Sequence, residues 1–173
     1  RCTPGRLERD PTLADAAYRR AWVLDDLGRY AEALDLNARA LALYREKGDE
    51  KDVAAVLNNI GNIHQRQGRY DEAMRRFEES LAINRRLRNQ TIIATTLNNI
   101  GLIHDSQGRY GEAMRLYEES LAIERRLGNK PGIARTLGNI GNIRGRQGRY
   151  DEAMRVYEET LAIFRRLGNQ AGV

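Results

Sequence analysis

A stretch of 31 residues, residues 57–87, recurs twice more at a fixed spacing of 40 residues. It reads LNNIGNIHQRQGRYDEAMRRFEESLAINRRL, and related copies begin at Leu97 and Leu137. A fixed period of this length is typical of a solenoid, in which each unit buries its apolar face only against its neighbours. The sequence therefore predicts a stack of similar units and not a single globular core.

Each cycle of the repeat has the apolar spacing of two helices joined by a turn. In residues 51–90, apolar residues follow helical spacing from Leu57, Gly68 interrupts the pattern, and a second apolar stripe follows. Arg88 replaces glycine at the end of that second helix. The remaining turns and helix ends are predicted at Gly28, Gly48, Gly108, Gly128, Gly148 and Gly168.

The repeat pattern divides the chain into consecutive segments, and both ends have the pattern of cuts in a longer array. The predicted segments are residues 1–13 as a linker or the tail of a preceding repeat, 14–50 as a degenerate first repeat, 51–90, 91–130 and 131–169 as three regular repeats, and 170–173 as the start of a following repeat. In residues 1–13, Pro11 is predicted to follow the end of a preceding helix.

The composition indicates a folded chain without a membrane or secretory signal. Apolar residues make up 41% and charged residues 31%, which is enough for a continuous core if the repeats stack. No apolar run approaches the roughly 20 residues of a membrane-spanning helix, and no basic and apolar leader opens the chain. The single cysteine, Cys2, forms no intramolecular disulfide, so we expect a cytoplasmic location.

The repeated residues resemble the tetratricopeptide repeat. The resemblance rests on the pattern Leu57-x-x-Ile60-Gly61-x-x-His64 followed by Ala73-x-x-x-Phe77. A similar pattern recurs in phase in the next two cycles. The resemblance implies an all-α fold, a right-handed α-solenoid of antiparallel helix pairs.

Two departures from the family pattern define the resemblance further. Arg85 stands where the usual 34-residue unit has proline, so the second helix continues. The chain thereby resembles the longer-unit subclass of Pins-type polarity scaffolds, kinesin light chains and bacterial regulators. In the first cycle Arg20 and Ala21 replace isoleucine and glycine, so this repeat is predicted to be degenerate.

The three regular repeats differ mainly in their first helices. Fifteen of the twenty residues from Gly68 are identical in all three copies, against seven of the fourteen residues from Ala54. Seven sites vary, and five of them, 55, 58, 62, 65 and 66, with their counterparts 40 residues apart, share an arc of about 100° on the first helix. We call this arc the variable face. The resemblance implies that it lines a concave groove for peptides, and the alternative is that exposed sites drift freely.

Asparagines border the variable face in each regular repeat. Asn59, Asn99 and Asn139 occupy the same site in the three copies, and an amide both donates and accepts hydrogen bonds. A row of amides can therefore contact the backbone of a peptide, or alternatively bridge helices within the stack. Further candidate peptide-binding residues on or beside this face are Asn58, Asn62, Asn98, Leu102 and Asn142.

Charged and aromatic residues complete the candidate site. The predicted polarity sets Arg66, Arg135 and Arg146 against Asp15, Asp25 and Asp26 of the first cycle, with Asp105 between them. We therefore expect a bound peptide to place its acidic part over the third and fourth cycles. Tyr18 and Trp22 lie on the same face of the first helix, where aromatic side chains are typical binding anchors. A half-buried core role is the alternative for Trp22.

The residues contain no pattern of a catalytic, cofactor or metal site. His64 and His104 occupy equivalent sites of successive repeats, which favours packing over shared metal binding. No glycine-rich phosphate loop or activated nucleophile is present, so we predict a non-enzyme without cofactors.

The most direct functional interpretation is a scaffold that binds a protein or peptide. One alternative is a sensor or autoinhibitory arm of a larger regulator, such as a signalling ATPase or a protease, with another domain of the same polypeptide as partner. Self-association through uncapped ends is a further expectation, because a stack without capping repeats exposes apolar surface. A weaker alternative is nucleic-acid binding along the arginine edge, which comprises Arg85, Arg86, Arg125, Arg126, Arg165 and Arg166.

Overall fold

A computed structural model describes the backbone of residues 11–170 and the side chains of residues 13–166. Every element in this part of the chain is an α-helix, which confirms the predicted fold class. The helices are α1 Pro11–Asp26, α2 Tyr30–Lys47, α3 Glu50–Arg66, α4 Tyr70–Arg86, α5 Gln90–Ser106, α6 Tyr110–Leu127, α7 Lys130–Arg146 and α8 Tyr150–Gln170.

The helices form two compact units, Arg1–Arg88 and Asn89–Val173. In the first unit, α1 packs on α2 and α3 packs on α4, while α2 and α3 join the two pairs. In the second unit, α5 packs on α6 and α7 on α8, while α6 and α7 join the pairs. The first helices of each unit, α1 with α3 and α5 with α7, also touch each other.

Left-handed residues connect the helices at most of the predicted turns. Gly68 between α3 and α4 has φ +72° and Gly128 after α6 has φ +67°, a conformation that costs glycine little because it has no Cβ. Arg88 adopts the same left-handed region with φ 56°, although it is not glycine. The first helices of the three regular pairs, α3, α5 and α7, are capped by Asp49, Asn89 and Asn129. Each of these side chains accepts a hydrogen bond from the backbone N–H three residues further on.

One boundary differs from the sequence predictions, and another lies outside the described residues. Pro11 begins α1, where its missing N–H and fixed φ suit the first position of a helix, and the helix predicted to end before it falls in residues that the structure does not describe. Gly168 was expected to end a helix, but α8 continues through it to Gln170. Glycine permits a left-handed turn without requiring one, and the described residues contain no further helix after α8 to which such a turn would lead.

A glycine in the first helix and an aromatic ring in the second set the close packing of each regular pair. A Cβ on Gly61 would lie 2.5 Å from the Phe77 ring, and one on Gly101 would lie 2.6 Å from the Tyr117 ring. In the first pair, Ala21 stands in the glycine position and Asn37 in the ring position, and both are fully buried. The shorter Asn37 side chain explains why this pair accommodates alanine.

Candidate functional site

The variable face carries side chains of very different exposure. The exposed predicted site residues are Trp22, Arg66, Arg135, Asn142 and Arg146, the partly buried ones are Tyr18, Asn58, Asn62, Asn99, Leu102 and Asn139, and the buried ones are Asn59, Asn98 and Asp105. Only the first two groups offer surface to a partner.

Asn59 joins two helices of the first unit. It is 5% exposed, and its Nδ2 donates to Asn37 Oδ1 at 3.3 Å. Asn37 in turn donates to the Ala33 carbonyl oxygen at 2.9 Å, so the two amides link α3 to α2. This geometry favours the helix-bridging interpretation of Asn59 over contact with a peptide.

Asn98 has a similar internal position in the second unit. It is fully buried, and its Oδ1 accepts from Asn139 Nδ2 at 3.0 Å and from Thr136 Oγ1 at 3.3 Å. The bonds hold α7 against α5. Asn139 is itself only partly buried, so it lies at the border between this network and the variable face.

Each unit pairs an exposed arginine with a buried aspartate from the preceding first helix. Arg66 Nη1 lies 3.2 Å from Asp25 Oδ1 in the first unit, and Arg146 Nη1 contacts Asp105 Oδ1 in the second. The side chains of the arginines are 49% and 51% exposed, whereas those of the aspartates are 2% and 9% exposed. The buried aspartates therefore fix the positions of the two guanidinium groups, and part of each group remains exposed on the variable face.

These ion pairs weaken the predicted electrical polarity. Burial raises the pKa of Asp25, and Arg66 partly offsets that rise, so the arginine lies over a carboxylate of its own chain. Asp15, also counted as an acidic group of the first cycle, accepts a hydrogen bond from the Tyr44 hydroxyl. The three arginines of the face thus each lie near a carboxylate of their own unit, so their net positive charge is smaller than the arginines alone indicate.

The two aromatic residues of α1 have separate environments. Trp22 is 59% exposed, which does not fit the half-buried core role. Tyr18 packs against a core cluster that includes Leu41 and Leu57, and burial is the main cause that raises its pKa. Trp22 is therefore the exposed aromatic side chain of this face, whereas Tyr18 packs α1 against the core.

Sequence analysis missed the environment of Glu124. This carboxylate is fully buried at the junction of α6 and α7, and neither of its oxygens accepts a hydrogen bond within the described part of the chain. Arg135 Nη2 lies 3.8 Å from Glu124 Oε1. Gly132 was a sequence signal for this environment, because the other repeats have larger residues at the same site. A Cβ on Gly132 would lie 2.4 Å from Glu124 Cδ, so only glycine leaves room for the carboxylate.

Of the two histidines, His64 takes the packing position predicted for it, whereas His104 is only partly buried. His64 is buried, and its Nδ1 has no hydrogen-bond partner among the described residues. Burial lowers the pKa of His64; Arg69 and Arg76 lower it further and Glu72 opposes them. Among the described residues, no group of three metal-ligating side chains is assembled.

The buried His64 predicts a pH-dependent stability. In the unfolded chain the pKa of His64 returns to about 6.5, and in the folded chain it is lower. At a pH between these two pKa values, the unfolded state therefore binds more protons than the folded state. The free energy of unfolding is therefore expected to fall as the pH falls through this window. Denaturant unfolding at pH 7.5 and pH 5.5 measures the slope. His64→Leu, which copies Leu24 at the equivalent site, should reduce it, and equal slopes for both proteins would contradict the assignment.

Paired helices with a constant packing surface and a variable exposed face define a helical repeat protein. Tetratricopeptide repeat profiles match residues 52–126 and 92–166, and a further one matches residues 13–47. The chain therefore belongs to the tetratricopeptide repeat family. No curated protein sequence matches it. None of the described helices has the length and apolar character needed to cross a membrane.

Solved structures share the fold over most of the chain. BtubC (BKLC) from P. vanneervenii is 24% identical with a TM-score of 0.80, and the match covers 92% of this chain and 66% of that one. Aspartyl phosphate phosphatase F from Bacillus subtilis is 17% identical with a TM-score of 0.86, over 91% and 42%. A Rap protein complexed with competence and sporulation factor is 18% identical with a TM-score of 0.81, over 88% and 43%. The chain thus spans less than two thirds of each of these proteins, and the likeness shows the fold alone.

Proposed function

We propose that this chain is a non-catalytic scaffold, located in the cytoplasm, whose variable face binds an extended or helical segment of a partner protein. One observation carries the proposal: differences between the repeats concentrate on a face where Trp22, Arg135 and Arg146 remain exposed, while the second helices are nearly constant. The Rap protein in complex with competence and sporulation factor supports it, since a similar fold there holds a partner.

The exposed arginines of the second unit favour an acidic segment at that end. Arg146 keeps about half of its side chain exposed while Asp105 fixes its position, and Arg135 is 47% exposed above Glu124. Guanidinium groups bind carboxylates through paired hydrogen bonds, and an anchored guanidinium loses less conformational freedom on binding. A ligand carboxylate at either arginine is therefore favoured over an uncharged group.

A selection from a random peptide library tests the proposal directly. We expect peptides retained by the parent chain to be enriched in aspartate and glutamate, and Arg135→Glu with Arg146→Glu to lower their affinity by at least about tenfold, or about 1.4 kcal/mol. The matched control is Arg115→Glu with Arg155→Glu, two exposed arginines on second helices, which should leave affinity unchanged. Unbiased peptides, or equal loss in both variants, would contradict the proposal.

The asparagine row requires a selective version of the same test. Asn59→Ala removes a buried bond between helices and is expected to lower stability, so it does not report on binding alone. Asn139→Ala likewise removes the bond to Asn98 between α7 and α5. Asn99→Ala changes a partly buried side chain at the edge of the variable face, and loss of affinity in this variant with unchanged stability would assign Asn99 a peptide-binding role.

A second candidate function is the sensor or autoinhibitory arm of a larger regulator. The observation that favours it is the match to aspartyl phosphate phosphatase F, of which this chain covers 42%. The variable face would then bind another domain of the same polypeptide. The length of the complete gene product and competition between that domain and selected peptides would distinguish the two functions.

The arginine edge gives less support to a nucleic-acid partner. Arg86 Nη2 pairs with Glu50 Oε1 at 2.6 Å and Arg125 Nη2 with Glu159 Oε1 at 2.9 Å, while Arg126 donates to Gln90 Oε1 at 2.5 Å. Arg86 and Arg126 thus join the two helices of one pair, and Arg125 joins the second helices of successive pairs. Phosphate contacts would have to replace these bonds.

A further inference from the structure

Helix α8 displays an apolar stripe that is mostly uncovered within the described part of the chain. One member, Tyr157, packs its ring against Gly141 of α7 and donates its hydroxyl to Asn142 Oδ1 at 2.7 Å. The residues of the stripe recur at spacings of four, three, four and three, which places them on one side of the helix. We call them the α8 stripe: Tyr150, Met154, Tyr157, Leu161 and Phe164, exposed by 69%, 58%, 38%, 50% and 53%. Exposure of this size along about 21 Å of one helix indicates an interaction surface.

The equivalent positions of α6 show what this side of a second helix does when it is covered. Tyr117 is fully buried and Leu121 is 8% exposed, and Glu124 at the position of Phe164 is fully buried at the junction with α7. The α8 stripe differs at its outer end, because an apolar ring replaces the carboxylate. It is therefore more apolar than its covered counterpart.

The charges beside the α8 stripe complement one another in an antiparallel pair. Asp151 and Arg165 both follow a stripe residue directly and lie 14 residues apart, near opposite ends of the stripe. In an antiparallel pair of identical helices, Asp151 of one copy faces Arg165 of the other, and the reverse contact forms by symmetry. Neither residue has an ion-pair partner among the described residues, so both are available.

Head-to-tail stacking of copies is less compatible with the same residues. Between repeats, Arg45 pairs with Glu79 and Arg125 with Glu159, each 34 residues further along. If a second copy continued the stack in the same register, Arg165 of the first copy would face Arg39 of the second. The face formed by α1 and α2 also presents Arg20 where the inner repeats have Ile60 and Ile140, both buried. Like charges and a charged side chain on the apolar contact disfavour this arrangement.

We propose that two copies of the chain associate through the α8 stripe as a two-fold antiparallel helix pair. Tyr157 lies at the axis, Met154 packs against Leu161 of the partner, and Tyr150 packs against Phe164 of the partner. Near the axis, Glu158 of one chain approaches Glu158 of the other, and repulsion between the two carboxylates limits the affinity. This surface adjoins the variable face where Tyr157 donates to Asn142, and the association does not depend on the function proposed above.

Sedimentation equilibrium of the intact chain over a range of concentrations tests the association. We expect a mass approaching twice the 19.7 kDa of one chain, and a single-chain mass for Met154→Glu with Leu161→Glu. The matched control is Val23→Glu with Leu27→Glu, which changes residues of α1 that are 54% and 66% exposed and should leave the dimer intact. Circular dichroism of each variant verifies that helicity is retained. A parent chain that stays monomeric overturns the proposal, as does a control that dissociates.

Two further variants test the antiparallel symmetry. With Cys2 replaced by serine, Tyr157→Cys should form a disulfide-linked dimer, because only a two-fold axis brings residue 157 against itself. Asp151→Arg should weaken the dimer, and adding Arg165→Asp should restore it. Assemblies that keep growing with concentration and do not cross-link at residue 157 would show head-to-tail stacking and overturn the pairing.

Discussion

Replacing Gly101 with alanine is expected to lower the free energy of unfolding by about 1–3 kcal/mol. The added methyl group would lie 2.6 Å from Cε1 and 2.8 Å from Cδ1 of the Tyr117 ring. That ring is fully buried between helices, so it has no free space into which to move. Either α5 and α6 separate or the ring leaves its rotamer, and both changes reduce packing. Denaturant unfolding monitored by circular dichroism measures the loss.

The control is a glycine of the same unit that has room for a side chain. A Cβ on Gly138 in α7 meets nothing within 4 Å, so Gly138→Ala is expected to raise stability by about 0.5–1 kcal/mol through helix propensity. In a Tyr117→Asn background, which copies Asn37 beside Ala21, Gly101→Ala should cost less than in the parent. A stability gain for Gly101→Ala in the parent would show that the pair is not closely packed.

Replacing Glu124 with methionine is expected to raise the free energy of unfolding by about 1–3 kcal/mol. The carboxylate is fully buried, accepts no hydrogen bond from the described residues, and has Arg135 at 3.8 Å as its cation. A buried charge with so few partners is costly, whereas methionine has a similar volume and no charge to desolvate. Thermal and denaturant unfolding measure the gain.

Glu118→Met provides the comparison for this prediction. Glu118 lies on the exposed side of α6, so its replacement should change stability by less than about 0.5 kcal/mol. If Glu124→Met were destabilising, the carboxylate would have to be stabilised by more than its contact with Arg135. The same variant should bind acidic peptides more tightly, because Arg135 loses its internal partner.

The repeat period and its glycines were sufficient to predict the helix pairs. The spacing from Leu57 and the break at Gly68 follow from local rules of helix periodicity and turn formation, which act within a few residues. Even Arg88 fits these rules, since it occupies a glycine site of the repeat and takes the left-handed conformation expected there. Comparison of the copies also located the variable face.

The roles of individual polar residues were not predictable in the same way. Asn59 was interpreted with Asn99 and Asn139 as one row, yet its amide bonds to Asn37, which replaces the aromatic ring of the other repeats. Asp25 and Glu124 are buried and pair with arginines 41 and 11 positions away. Such contacts depend on which side chains meet between helices; for Glu124 the sequence signal is Gly132 on the facing helix, and Asp25 has no such local signal.

The pairing of Arg135 with Glu124 and of Arg146 with Asp105 makes each arginine subject to intramolecular competition. An incoming carboxylate must share or displace a carboxylate that is already part of the fold, and displacement leaves a buried negative charge without its cation. Affinity at these positions is therefore set by a difference between two similar interactions and not by the strength of one. Binding of this kind favours partners that exchange readily over partners that are held permanently.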